Sequence, residues 1–212
     1  MSDRQGRTVY VVDDDTSFLL SLTRMLRASG FSVKAYASAT EFLTGHPEDA
    51  RGCVIADLHM PEMSGIELQE QLVKTCNPLP VVFLTGEGDL PSSVTAMRQG
   101  AEDFLAKLAP SADLLAALDR ALARDERERK QRSHKNELGA RFRKLTPRDH
   151  EVLLHVLQGR LNKEIAADLG IDERSVKRHR TSIMAKLEIR SVVELARLAQ
   201  EVGISVLPSP RP

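Results

Sequence analysis

Four short apolar runs each stop at groups that can do chemistry. Val9-Tyr10-Val11-Val12 stops at Asp13-Asp14-Asp15, and Cys53-Val54-Ile55-Ala56 stops at Asp57. Val81-Val82-Phe83-Leu84 stops at Thr85, and Asp103-Phe104-Leu105-Ala106 stops at Lys107. If these runs are neighbouring strands, the carboxylates of Asp13, Asp14 and Asp57 meet a hydroxyl and an ammonium in one crevice. Clustered carboxylates repel one another and call for a cation. An oxygen-only ligand set suits a hard ion such as Mg²⁺, or Mn²⁺. With that charge neutralised, one carboxylate can attack a phosphoryl group and form an aspartyl phosphate. Thr85 and Lys107 can then hold the phosphoryl oxygens.

The elements that would position these groups alternate. Phe18, Leu22, Met25 and Leu26 recur at helical spacing after the first run, and Gly30 stops them. Residues 31–37 alternate like an edge strand, and residues 38–44 read as a short helix. Ile66, Leu68, Leu72 and Val73 mark a helix after Asp57, Pro91 opens one reaching Gln99, and Asp113 starts another. Strand–helix alternation with continuous apolar strands predicts a parallel sheet covered on both faces, a doubly wound (βα)5 arrangement. Such sheets bind ligands at the carboxyl ends of their strands.

The second half reads as all helix, so the fold class expected for the whole chain is α/β plus all-α. Thr146 is placed as N-cap with Pro147 at the first helical position, and Gly159 ends that helix. Asn162 is expected to cap a short helix carrying Ile165, Ala166 and Leu169. Gly170 allows a tight turn, Asp172 caps a helix over 173–187, and Ser191-Val192-Val193-Glu194 opens a fourth. Two short helices joined by a glycine turn suggest helix-turn-helix. In the 173–187 helix, Val176, Ile183 and Leu187 share one narrow face at about 100° per residue. Arg174, Lys177, Arg178, Thr181 and the small Ala185 lie roughly opposite, and no acid intervenes between Arg174 and Leu187. A basic, acid-free face opposite a core stripe suits entry into the DNA major groove.

Both halves resemble known families. The runs 11–15, Asp57-Leu58-His59-Met60-Pro61-Glu62-Met63-Ser64-Gly65, Leu84-Thr85-Gly86 and Ala101-Glu102-Asp103-Phe104-Leu105-Ala106-Lys107 resemble the receiver domain of two-component response regulators. The resemblance implies a flavodoxin-like receiver in which Asp57 accepts phosphate from a cognate sensor histidine kinase. It implies a metal site of Asp13, Asp14 (the principal ligand), Asp57 and the backbone carbonyl of His59. Thr85 and Phe104 match the family's switch pair, and Lys107 its phosphate-binding lysine. Asp15, one place further on, receives no ligand role. The family usually follows that lysine with a cis-bonded proline, whereas here it is Leu108. A non-proline cis bond costs about 2.5–4 kcal/mol, so the loop bears that strain or takes another path.

Leu145-Thr146-Pro147-Arg148-Asp149-His150-Glu151-Val152-Leu153, Asn162-Lys163-Glu164-Ile165-Ala166, Val176-Lys177-Arg178-His179-Arg180 and Ile183-Met184-Ala185-Lys186-Leu187 resemble the LuxR/FixJ/NarL type of helix-turn-helix output domain. That implies base-facing places at Lys177, Arg178 and Thr181. It implies phosphate contacts at Lys163, Arg174, Ser175, His179 and Lys186. Together the halves resemble FixJ-type response regulators, transcription factors rather than enzymes, with only slow self-dephosphorylation. The implied partners are the kinase, double-stranded promoter DNA, RNA polymerase and a second copy of the chain on phosphorylation. The expected division is receiver 1–120, charged helical linker 121–144, LuxR-type DNA-binding domain 145–205 and flexible tail 206–212. Two rivals share parts of this pattern. An aspartyl-phosphate phosphohydrolase would use the same carboxylates, but that class usually places its nucleophile after the first strand. A phosphorylation-independent DNA-binding protein with a degenerate receiver has only Leu108 in its favour.

Composition bounds these readings. A length of 212 residues suits two domains. Thirty Lys/Arg balance thirty Asp/Glu, which excludes a uniformly basic nucleic-acid coat. The balance hides a division: residues 1–118 hold 9 Lys/Arg against 16 Asp/Glu, residues 119–144 hold 10 against 5, and the remainder 11 against 9. The basic middle, with pairs such as Glu126–Lys130 and Glu128–Arg132, reads as a solvated helical connector. No stretch approaches 18 apolar residues, so no membrane span is expected. No apolar segment follows the opening residues, so no secretory leader is expected. Cys53 and Cys76 read as two reduced thiols of a cytoplasmic protein.

Overall fold

The computed structural model describes residues 7–75, 78–86 and 97–204. They divide between Arg129 and Lys130 into two compact units. In the first, β1 (Thr8–Val12), α1 (Thr16–Ala28), β2 (Ser32–Tyr36), α2 (Ala39–Gly45), β3 (Cys53–Asp57), α3 (Gly65–Val73), β4 (Val81–Thr85) and β5 (Asp103–Ala106) form a parallel sheet in the order β2-β1-β3-β4-β5. Of the helix expected from Pro91 to Gln99, residues 91–96 lie outside the described residues and Met97 and Arg98 are helical; Cys76 and the tail 206–212 also lie outside.

Sheet register brings the chemistry together. Val12 pairs with Ala56, Asp57 with Leu84, and Thr85 with Ala106, so Asp13, Asp57, Thr85 and Lys107 leave the sheet along one edge. The order of the strands reverses between β1 and β3, which is where such sheets open a crevice. Each apolar run serves two cores. Val9, Val11, Ile55, Val82 and Leu84 pack with Leu22 and Leu26 of α1 on one face. Tyr10, Val12, Val54, Ala56 and Phe83 pack with Phe42, Leu68 and Leu72 on the other. Burying a side chain of this size contributes about 1.5–3 kcal/mol, which is why β1, β3 and β4 read as unbroken apolar runs. Val73, assigned to the apolar stripe of α3, is exposed; Gln69 is buried on that helix instead.

A single helix, α4 (Ser111–Arg143), contains nearly all of the stretch read as a solvated connector. Within the first unit the buried Asp125 accepts the Gly52 amide at 3.0 Å and pairs with Arg129 at 2.9 Å, and Arg129 also donates to the Ala50 carbonyl. Gly52 has φ +125, and a Cβ there would lie 1.9 Å from the Thr8 carbonyl oxygen. Within the second unit, Leu138 and Phe142 are buried in the core.

The second unit continues with α5 (Pro147–Leu157), α6 (Asn162–Leu169), α7 (Glu173–Leu187) and α8 (Val192–Glu201). Val152, Leu153, Ile165, Val176, Ile183, Leu187, Leu195 and Leu198 lie in its core. Gly170 takes the left-handed conformation (φ 64) that reverses the chain between α6 and α7. The N-cap of α6 is Leu161, not Asn162. The Glu164 carboxylate accepts the Leu161 amide at 2.8 Å, and no side chain accepts the first-turn amides as Asn162 was expected to do. Ser191 caps α8 as expected, but Glu194 reaches back to the Arg190 amide, one residue before the cap. Among the described residues no helix is long and apolar enough to cross a membrane.

Candidate functional site

Asp13 follows β1 and is 1% exposed, and Asp57 ends β3 and is 8% exposed. Asp14 is exposed. One carboxylate oxygen from each of the three lies within 4.8 Å of the others. Asp15 is absent from this cluster because it caps α1, accepting the Ser17 and Phe18 amides at 2.9 and 3.1 Å. The Asp15 amide in turn donates to Asp13 Oδ1 at 2.9 Å, fixing that carboxylate. Lys107 Nζ lies 2.7 Å from Asp13 Oδ2 and 3.1 Å from Asp57 Oδ2.

The electrostatics follow from burial. Desolvation pushes the Asp13 carboxyl up from its ordinary range, against the hydrogen bond from Lys107, and the nearby Asp57 adds to the rise. Desolvation also works against the Lys107 charge, but its bonds to Asp13 and Asp57 outweigh that and raise its pKa above that of an ordinary lysine. A lysine held charged between two carboxylates, with a third carboxylate at the open side, still leaves negative charge in excess. All-oxygen donors at this spacing fit a small hard dication.

Thr85 closes β4 and is buried, while Phe104 is half-buried with its ring 6.3 Å from that of Phe83. His59, two residues past Asp57, is exposed. Gly65 lets α3 start close behind the site. Its amide donates to the Leu58 carbonyl at 3.0 Å, and a Cβ there would lie 2.3 Å from the Asp57 carbonyl oxygen.

In the second unit, α7 buries Val176, Ile183 and Leu187 and exposes Arg174, Lys177, Arg178, Thr181 and Ala185. Arg174, Lys177, Arg178 and the exposed Lys163 of α6 pair with no acid among the described residues, which leaves them available to an external anion. Ser175 is half-buried and donates to its own N-cap, Asp172, at 2.8 Å. His179 and Lys186, also expected to face phosphate, instead meet Asp149 at 2.8 and 2.6 Å.

Residues 9–119 match the family model of the response regulator receiver domain, and residues 143–199 match that of the bacterial regulatory proteins of the luxR family. The chain is a response regulator with a LuxR-type DNA-binding domain. The regulator is 39% identical over 206 residues to response regulator protein TmoT of Ectopseudomonas mendocina, covering 97% of this chain and 93% of that protein. It is 39% identical to the transcriptional regulatory protein FixJ of Azorhizobium caulinodans, covering 93% of each. Among solved structures it is similar to the response regulator StyR, with a TM-score of 0.82 and 42% identity, covering 92% of this chain and 98% of that one.

Two features of the regulator's receiver answer questions left by its sequence. All peptide bonds among the described residues are trans, so the loop after Lys107 takes another path. It turns tightly, with the Ala109 amide donating to the Ala106 carbonyl at 2.9 Å, and carries Leu108 at its tip, 88% exposed. Lys107 still reaches the acids because its own amide is held by the Thr85 carbonyl at 2.7 Å. The Phe18 ring, 4.6 Å below Lys107 Nζ, gives the ammonium an aromatic face that spacing did not suggest. The buried thiol of Cys53 is pushed far up by desolvation and takes no part.

Proposed function

We propose that the regulator accepts a phosphoryl group at Asp57 from a cognate sensor histidine kinase. Phosphorylation then pairs two copies and sets two α7 helices on a two-fold-related promoter site, from which RNA polymerase is engaged. The observation that carries this reading is the convergence of Asp57 with Asp13, Asp14 and Lys107 at one sheet edge.

Lys107 engages Oδ2 of Asp57, which leaves Oδ1 as the nucleophile. Oδ1 attacks the phosphorus of the kinase's phosphohistidine; a P–O bond forms, the P–N bond breaks, and the imidazole leaves with the electron pair. Mg²⁺ or Mn²⁺, when held by Asp13, Asp14, Asp57 and the His59 carbonyl, supplies positive charge against the phosphoryl oxygens. Lys107 offers its ammonium to the same oxygens, and the Thr85 hydroxyl offers a donor from the end of β4. Thr85 moving toward the phosphoryl group frees space beside β5 for Phe104 to follow, altering the surface on which a second copy docks. Hydrolysis of the acyl phosphate is slow and resets the state, and the chain turns over no other substrate. We place this activity in the cytoplasm and assign the receiver to residues 1–120, the linker to 121–144, the output domain to 145–205 and a tail to 206–212.

On DNA, Lys177, Arg178 and Thr181 are the residues we assign to base edges, with Arg178 directed to guanine O6 and N7. Lys163, Arg174 and Ser175 are assigned to phosphates. A gel shift on a promoter duplex, with Mg²⁺ and acetyl phosphate, tests the whole sequence. Wild type is expected to bind more tightly after treatment and Asp57→Ala is not. Equal gains in both proteins contradict it.

A further inference from the structure

We infer that Asp149 is the anchor that sets the rotation and the axial position of α7, with His179 and Lys186 serving as positioning residues rather than DNA contacts. Asp149 lies in the first turn of α5 and is 2% exposed. Its Oδ1 meets His179 Nδ1 at 2.8 Å, and its Oδ2 accepts from Lys186 Nζ at 2.6 Å and from the Thr146 amide at 3.1 Å. One carboxylate therefore ties the start of α5 to the middle and to the last turn of α7.

The spacing of the two partners matters. Seven residues make almost two full turns, so His179 and Lys186 sit on one stripe, about 10 Å apart along the axis. A single tie would let the helix pivot, whereas two ties on one stripe fix both its roll and its slide. At about 100° per residue, Arg174, Lys177 and Thr181 lie about 120–180° round from that stripe, and Arg178 lies about 80–100° round from it, on its flank. Locking the stripe inward thus aims the reading face outward. The pairing also withdraws two cations from a helix that carries no internal acid of its own after Glu173. What remains exposed on α7 is Arg174, assigned to phosphate, with Lys177, Arg178 and Thr181, assigned to bases, so the anchor shifts the balance toward specific over indiscriminate binding.

This inference rests on α7 being the helix that reads DNA, and the test separates the two. The probes are a duplex enriched by the acetyl-phosphate-treated full chain from a random-sequence pool and a scrambled duplex of equal length. Asp149→Asn and Lys186→Met are each expected to cut the ratio of the two affinities by about tenfold or more, the equivalent of one good base contact. Binding to the scrambled duplex and the dependence of affinity on salt should stay near wild type. Asp149→Glu, which keeps the charge, should recover most of the ratio. If Lys186→Met instead lowers the salt slope by about one and weakens both duplexes alike, Lys186 is a phosphate contact and the anchor is refuted. Arg178→Ala reports on α7 separately. Its losing discrimination while Asp149→Asn keeps it overturns the anchor alone. Its keeping discrimination overturns α7 as the reading helix and the anchor with it. Should Asp149→Asn lose helical signal in circular dichroism, Lys186→Met, which leaves the Thr146 cap in place, decides the matter.

Discussion

The ammonium of Lys107 stands 3.1 Å from Oδ2 of Asp57, fifty residues earlier in the chain, and bridges it to Asp13. The bridge substitutes in part for the positive charge that three carboxylates require. Lys107→Met is therefore expected to lower the unfolding free energy of the receiver by about 1–3 kcal/mol in chelator, the cost of leaving buried polar groups without a partner. Added Mg²⁺ should shrink that deficit, because without the competing ammonium the three carboxylates bind the cation more tightly and the folded variant gains more from it. Urea unfolding with and without Mg²⁺ measures both. Equal deficits in the two conditions contradict the bridge.

The carbonyl oxygen of Asp57 leaves no room for a side chain at residue 65, where a Cβ would lie 2.3 Å away. Gly65→Ala must move either the start of α3 or the end of β3. The expected result is a loss of about 1–3 kcal/mol in stability, typical of overpacking, together with slower phosphoryl uptake from acetyl phosphate. Uptake at the wild-type rate would show that β3 does not yield.

Lys177 and Arg178 are exposed on α7 without acidic partners among the described residues. Lys177→Ala and Arg178→Ala are each expected to weaken binding to a selected duplex by about 1–3 kcal/mol. Affinity unchanged in gel shifts, with the fold intact, removes these residues from the interface. Because the chain is neutral overall, affinity arises from this local face, and it should fall steeply with salt.

Acid should act on the second unit through Asp149. Burial opposes ionisation of this carboxyl, but the bonds from Lys186, His179 and Thr146 outweigh it and hold the group well below the usual carboxylate range. A depressed folded value stabilises fully above the unfolded pKa, about 3.9, and the contribution is lost as pH falls through and below that value. The stability advantage of wild type over Asp149→Asn should thus be present at about pH 5 and shrink by about pH 3. Urea titrations across that window check the sign; an advantage that stays level at the acid end contradicts it.

Asp125, buried against the Gly52 amide, tells a different story from its sequence neighbours. Asp125→Ala is expected to cost about 1–3 kcal/mol by stranding a buried N–H and releasing Arg129. A change within the error of the urea midpoint would mean that water satisfies both.

What could be read in the sequence, and what could not, divides along local and tertiary lines. Asp57, Thr85 and Lys107 stood out because each closes a strand run, so one local pattern marks both the strand and the polar group at its end. The buried stripe Val176, Ile183 and Leu187 was legible for the same reason, since helical periodicity is local. Asp149 announced itself only as a cap residue; its partners lie 30 and 37 residues away on a helix that reads as uniformly basic. Asp125 sits in a run of charges that looks solvated, and only the fold sets it against Gly52, 73 residues earlier. Leu108 left two loop paths open, and the trans peptide bonds of the described residues select between them.

With Asp57 as the phosphoacceptor, the mass of the intact chain reports phosphorylation directly. After incubation with Mg²⁺ and acetyl phosphate, wild type should gain the mass of a single phosphoryl group and Asp57→Ala should gain none. No gain in wild type, or the same gain in Asp57→Ala, contradicts that role for Asp57.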